Sequence, residues 1–294
     1  MKKILFQGCA TAVITPMSTD GSVNFEEFGK ILDFQIDNGI DGIIVCGTTG
    51  ESSTLTDDEH KAVIKYCVDR VNKRVPVIAG TGSNDTAYAL ELSLEAKELG
   101  ADGLLLVTPY YNKTTQDGLI KHFNIIADKA QIPCILYNVP SRTGMDIAVD
   151  TYKALSENPN IVAVKEANPD VVKFGRIINA CGENLTVYSG NDDNAIATMS
   201  IGGKGLISVI SNVLPKEITE MTHFALEGNF NKAAELHLKY LDFMDSLFCE
   251  VNPIPVKKAM ELIGFKAGCG RLPLCEMKNV SRLTESMKKI GILN

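Results

Sequence analysis

The sequence predicts an α/β fold: a (β/α)8 barrel with a C-terminal helical appendage. Three observations carry that expectation. First, eight short aliphatic runs recur along the chain, at 10–14, 42–46, 75–79, 103–107, 134–137, 161–165, 186–188 and 205–209. They are near-continuous in apolar residues rather than alternating, as expected of parallel strands covered on both faces. Second, helix-patterned segments fill the intervals, and eight strand–helix units are what a closed barrel needs. Third, no Gly-rich dinucleotide fingerprint follows the first run, which disfavours an open, doubly wound sheet.

The helices announce their ends. Asn24 with Glu27 is a cap signal ahead of a helix at 25–38, and Gly39 stands at its C′ position. Thr56 with Glu59 is a capping box opening the next helix. A helix at 85–99 is closed by Gly100, and others fit 116–130, 147–157, 169–180, 192–201 and 215–226. The junction Gly39-Ile40-Asp41-Gly42 returns as Gly100-Ala101-Asp102-Gly103, in the same phase of the alternation, which supports a repeated unit. Beyond Leu226 the strand pattern stops. Segments 228–248, 254–263 and 279–290 read as helices, with a break at Pro253 and Pro255. The barrel is therefore expected at 1–226 and the helical domain at 227–294.

Composition excludes several function classes. The net charge of −7 offers no positive field for nucleic acid or an anionic membrane. No run reaches the ~18 apolar residues of a membrane span, and the apolar stretch 4–6 is too short for a signal peptide, so the chain reads as cytoplasmic. The eight cysteines are irregularly spaced with no C-x-x-C, which suits small buried hydrophobes in a reducing compartment. The four histidines have no metal-ligand spacing, so no metal site is expected.

Barrel enzymes carry their chemistry at the C-terminal ends of strands. That rule selects Thr48 and Thr49 after the second strand, Tyr110 and Tyr111 after the fourth, and Tyr137 ending the fifth. Arg142 follows in the next loop, Lys165 ends the sixth strand, Gly190 follows the seventh, and Ile207 lies in the eighth. Strand periodicity puts Ile161, Ala163 and Lys165 on one face, with Glu166 on the other. Small, apolar neighbours make a poorly hydrated site. A desolvated ammonium has a lowered pKa, and the neutral amine is what attacks a ketone. This run alone equally allows a solvent-facing lysine. Tyr137, at the equivalent end of the neighbouring strand, favours chemistry, because a phenol there can shuttle protons.

The other motifs have bland readings beside functional ones. Gly47-Thr48-Thr49-Gly50-Glu51 can hold a carboxylate or can be a permissive loop. Tyr110 and Tyr111 fit an oligomer contact or a proton relay. Arg142 suits a carboxylate or an ordinary surface. Gly202-Gly203-Lys204-Gly205 precedes its strand, so it lies at the wrong face for a phosphate loop and reads as a helix terminus.

In segments 10–16, 47–51, 107–112, 137–144, 164–167 and 190–192 the chain resembles the dihydrodipicolinate synthase family, within the pyruvate-dependent N-acetylneuraminate lyase superfamily, and the likeness spans essentially its whole length. The resemblance implies an imine between Lys165 and pyruvate, with no metal or organic cofactor. It implies a proton relay of Tyr137, Thr49 and Tyr111, the last reaching into a partner subunit's site. Thr48 and Thr49 would hold the pyruvate carboxylate, and Gly190 and Ile207 would line the pyruvate pocket through backbone groups. Arg142 would bind the carboxylate of the second substrate, L-aspartate-4-semialdehyde. The reaction implied is the committed step of lysine and diaminopimelate synthesis, in a homotetramer built from tight dimers. N-acetylneuraminate lyases, the sister activity, typically carry Ser-Thr in place of Thr48-Thr49 and lack an arginine at 142.

Two readings from other classes are a catalytically silent binding barrel and a metal-dependent aldolase, the latter disfavoured by the scattered histidines. An effector site is implied at His60, Asn84 and Tyr110. However, Tyr88 stands where lysine-inhibited relatives have a glutamate, and Asp57 where some have a histidine. Losing that glutamate removes a contact to the effector's ammonium worth roughly 1.5–3 kcal/mol, so weak or absent lysine inhibition is expected.

Overall fold

The computed structural model describes residues 2–294. Eight parallel strands close into a barrel in sequence order. They are β1 (Gly8–Ala12), β2 (Gly42–Val45), β3 (Val77–Gly80), β4 (Gly103–Val107), β5 (Cys134–Asn138), β6 (Ile161–Glu166), β7 (Thr186–Ser189) and β8 (Gly205–Ser208). Around them run α1 (Phe25–Asp37), α2 (Asp57–Val71), α3 (Thr86–Glu98), α4 (Gln116–Ala130), α5 (Pro140–Thr143), α6 (Val149–Leu155), α7 (Val171–Cys181), α8 (Ala195–Ser200) and α9 (Pro215–Leu226). The chain continues into α10 (Phe230–Ser246), α11 (Ile254–Leu262) and α12 (Val280–Lys289).

Two apolar layers hold this together. Ala10, Ile44, Ile78, Leu105, Ile135 and Ile207 belong to the cluster inside the barrel. A larger cluster lies between strands and helices, and α10–α12 join it through Tyr240, Phe243, Met260, Leu283 and Met287. The predicted caps form: Asn24 accepts from the Glu27 N–H, and Thr56 and Glu59 close a reciprocal capping box.

Several expectations shift, among them the third strand, which runs from Val77 to Gly80 rather than over 75–79. The first strand is two residues earlier than 10–14, because closure pairs Gly8–Thr11 with Gly205–Ser208. Val13 and Ile14 are apolar because their loop is itself buried. The helix expected at 192–201 is a 3-10 turn at Asp192–Asn194 followed by α8. Ile161 does not share a face with Ala163 and Lys165. The pairing of β5 with β6 slips by one residue after Cys134–Ile161, which sends Ile161 to the outer cluster and Val162 with Ala163 to the inner one. Downstream of that irregularity the alternation resumes. Glu166, opposite Lys165, is fully buried and accepts from Asn138, Tyr152 and the Asn168 N–H.

No helix among the described residues is long and apolar enough to cross a membrane. Among those residues no group of three or more His, Cys, Asp or Glu is arranged to hold a metal.

Candidate active site

A cavity of about 580 Å³ opens at the C-terminal ends of the strands. Thr48, Thr49, Tyr137, Arg142, Lys165 and Gly190 all line it. Lys165, next to last in β6, is in register with Tyr137 on one side and Tyr188 on the other. Its Nζ lies 4.4 Å from the centre of the Tyr137 ring. Only 6% of the residue is exposed. Burial lowers its pKa to about 8; the Asp192 carboxylate opposes that fall, and the Arg142 guanidinium adds to it. Asp192 is itself held below the site by the Ser208 hydroxyl and the N–H groups of Val209 and Ile210.

Burial pushes the Tyr137 phenol up, while Arg142 and a hydrogen bond with the Thr48 side chain pull it down. Of the two threonines, it is Thr48 whose side chain bears on the Tyr137 phenol. The Thr49 hydroxyl instead accepts from Asn252 Nδ2 at 3.0 Å. A Gly-flanked Thr-Thr pair does not say which hydroxyl turns toward β5, and here Thr49 turns toward Asn252.

Arg142 sits on α5, a single turn started by Pro140 and ended by Gly144 at φ +66°. Its Nη2 donates to the Asn252 carbonyl at 3.3 Å. Asn252 is thus a site residue that the sequence reading missed. It bonds both Thr49 and Arg142, and its own Oδ1 is a buried acceptor with no protein partner. It precedes Pro253 in a segment read only as a helix break, and no local pattern ties residue 252 to residue 49.

Gly190 lines the cavity, but its N–H is bonded to the Glu166 carbonyl at 2.7 Å and is not free for a ligand. A Cβ there would fall 2.8 Å from that of Ala167, so the position demands glycine. Ile207 is not brought to the cavity. It points into the barrel interior, and Val209 lines the cavity in its place, because β8 ends at Ser208 and the chain turns over the mouth two residues further on.

Tyr111 does not reach the cavity of its own chain. It is 92% exposed and has a left-handed backbone, φ +67°. His60 and Tyr110 line a second cavity of about 380 Å³, together with Tyr88. Asn84 does not line it; its carbonyl accepts from Asn112. The Tyr88 hydroxyl donates to Asp57 at 2.5 Å, which raises the phenol to about 12. Thr48 and Arg142 form part of the wall of both cavities.

The model of the Dihydrodipicolinate synthetase family matches residues 5–290. The chain belongs to this family. Among its relatives, a 4-hydroxy-tetrahydrodipicolinate synthase from Acetivibrio thermocellus is 52% identical over 295 residues, covering all of both chains. The crystal structure of dihydrodipicolinate synthase from Aquifex aeolicus is 48% identical, with a TM-score of 0.95 over 98% of this chain and 99% of that one. A chloride-inhibited dihydrodipicolinate synthase from Acinetobacter baumannii, solved with pyruvate, is 44% identical, with a TM-score of 0.95 and the same coverage. The similarity runs through the barrel and the C-terminal helices alike, so the family's architecture includes the segment that supplies Asn252.

Proposed function

We propose that the protein is a class I aldolase that condenses pyruvate with L-aspartate-4-semialdehyde to give 4-hydroxy-tetrahydrodipicolinate, the committed step of lysine and diaminopimelate synthesis. The observation that carries this reading is a buried lysine with a destabilised ammonium, set over the Tyr137 ring in the cavity at the barrel mouth. Membership of the family supplies the substrates.

The neutral Lys165 amine adds to C2 of pyruvate. The former carbonyl oxygen takes up protons and leaves as water, giving an imine. Tyr137, paired with Thr48, is the proton carrier for these steps. The hydroxyls of Thr48 and Thr49 hold the pyruvate carboxylate. Loss of a methyl proton turns the imine into an enamine, whose carbon attacks the aldehyde of the second substrate. A C–C bond forms and the aldehyde oxygen becomes a hydroxyl. The amino group of the second substrate then attacks the imine carbon, closes the ring and displaces Lys165. Arg142 holds that substrate's carboxylate, a role suited to a planar guanidinium fixed by the Asn252 carbonyl. No metal or organic cofactor enters any step.

Tyr111 completes the relay from a partner subunit, and its outward position supports at least a dimer, assembled as a homotetramer of tight dimers. The reaction belongs to the cytoplasm. The test is activity with pyruvate against a panel of aldehydes, together with borohydride trapping. Aspartate semialdehyde should win by orders of magnitude, N-acetylmannosamine should fail, and the reduced pyruvate adduct should map to Lys165. An adduct elsewhere, or none, refutes the reading.

A further inference from the structure

Glu51 closes the loop that carries Thr48 and Thr49, and its backbone is left-handed, φ +57°. That conformation is uncommon for a residue with a side chain and needs surrounding contacts to hold it. The contacts come from the C-terminal segment. Lys257 on α11 places its Nζ 2.6 Å from Glu51 Oε1, with the two side chains 3% and 0% exposed. The same ammonium donates to the carbonyls of Thr15 at 3.1 Å and Cys269 at 3.4 Å, so each of its three N–H groups has an acceptor. The other Glu51 oxygen accepts from the Arg271 N–H at 3.0 Å. The Thr15 hydroxyl donates to the Gly50 carbonyl at 2.7 Å. The loop is thus gripped from behind at Gly50 and Glu51, while Asn252, two residues before α11, holds Thr49 from the cavity side.

Stability is a poor reason for such a pair. Burying two charges costs much of what their attraction returns, and apolar replacements of similar volume are often as stable. Geometry is the better reason, because a fully bonded pair fixes one orientation where apolar contacts permit several.

We propose that Lys257 is a positioning residue for the aldol reaction, acting through Glu51 to set the Thr48 and Thr49 hydroxyls against the pyruvate carboxylate. This inference rests on the function proposed above. Lys257 touches neither substrate, and its effect is carried entirely by the loop.

The experiment compares Lys257→Met, Lys257→Arg and the double variant Glu51→Gln/Lys257→Met with the unmodified full chain. It measures kcat and KM for pyruvate, melting temperature, and borohydride trapping at saturating pyruvate. Lys257→Met and the double variant should raise the pyruvate KM about tenfold with kcat within about threefold, and Lys257→Arg should recover most of the loss. Trapping at saturating pyruvate should go to completion on Lys165 in all of them. Should Lys257→Met fail to fold, the double variant, which buries no unpaired charge, carries the test. An unchanged pyruvate KM in a folded variant overturns the proposal. So does a double variant that regains the wild-type KM together with the wild-type melting temperature, since the pair would then serve stability alone. Failure of the unmodified protein to trap pyruvate strikes the aldolase reading instead.

Discussion

Lys165 offers the most direct test of the chemistry, with pH as the perturbation. An exposed lysine titrates near 10.5, whereas burial brings this one to about 8. At roughly 1.4 kcal/mol per pKa unit, that fall corresponds to about 3 kcal/mol of destabilisation of the ammonium. At pH 7 roughly one-tenth of the amine is then neutral, against about three parts in ten thousand for an ordinary lysine, a gain of roughly 300-fold in the attacking form. The sign follows from the direction of the shift. Imine formation should be slow where the ammonium dominates, rise about tenfold per pH unit, and level off above about pH 8. The assay is the initial rate of borohydride trapping with pyruvate below saturation, followed by mass of the intact chain from pH 6 to 10. A rate still climbing tenfold per unit between pH 9 and 10 would mean that the amine is effectively hydrated, and the desolvation argument would be wrong.

Other outcomes follow from the same geometry. Tyr137→Phe should lower kcat by about 10²–10³ through loss of the proton carrier. Thr48→Val should lower kcat more than Thr49→Val does, as measured by steady-state kinetics; the reverse order would place Thr49 in the relay. Arg142→Ala should raise KM for aspartate semialdehyde about tenfold to a hundredfold and change KM for pyruvate far less, since a lost charged contact is worth roughly 1.5–3 kcal/mol. L-Lysine should inhibit weakly or not at all, because Tyr88 is already bonded to Asp57 and brings no carboxylate to the second cavity. A titration with half-inhibition below 1 mM would refute that.

What was legible in the sequence was what local periodicity encodes. The fourth strand runs over Gly103–Val107 as read, and the Thr56–Glu59 box opens α2 where the capping residues predict. Boundaries slipped where burial continues past the hydrogen-bonded ladder, as at Val13 and Ile14. The bulge at Val162 was invisible, since an extra apolar residue in an apolar run leaves no mark. The site followed the same division. Lys165 and Tyr137 were found because strand ends in a barrel converge on one mouth. Asn252 and Lys257 were missed because each acts across some two hundred positions of chain, on Thr49 and Glu51, through contacts that only the closed fold creates. The choice between Thr48 and Thr49 was a matter of rotamer and loop twist, which residue type does not specify.

The route of the chain through the site has a consequence for when the protein becomes competent. Every strand, and with them Lys165 and Tyr137, has been synthesised once Ser208 is made, so the nucleophile can be in place on a nascent barrel. Asn252 and Lys257 emerge later, and at ~5–20 residues per second the interval is roughly 2–10 s. During it the amine is assembled, but the loop that should receive the ketoacid has neither of its C-terminal anchors. The site is thus finished from a later part of the chain than the part that bears its lysine, and its Thr48–Thr49 loop gains those anchors only when α11 docks.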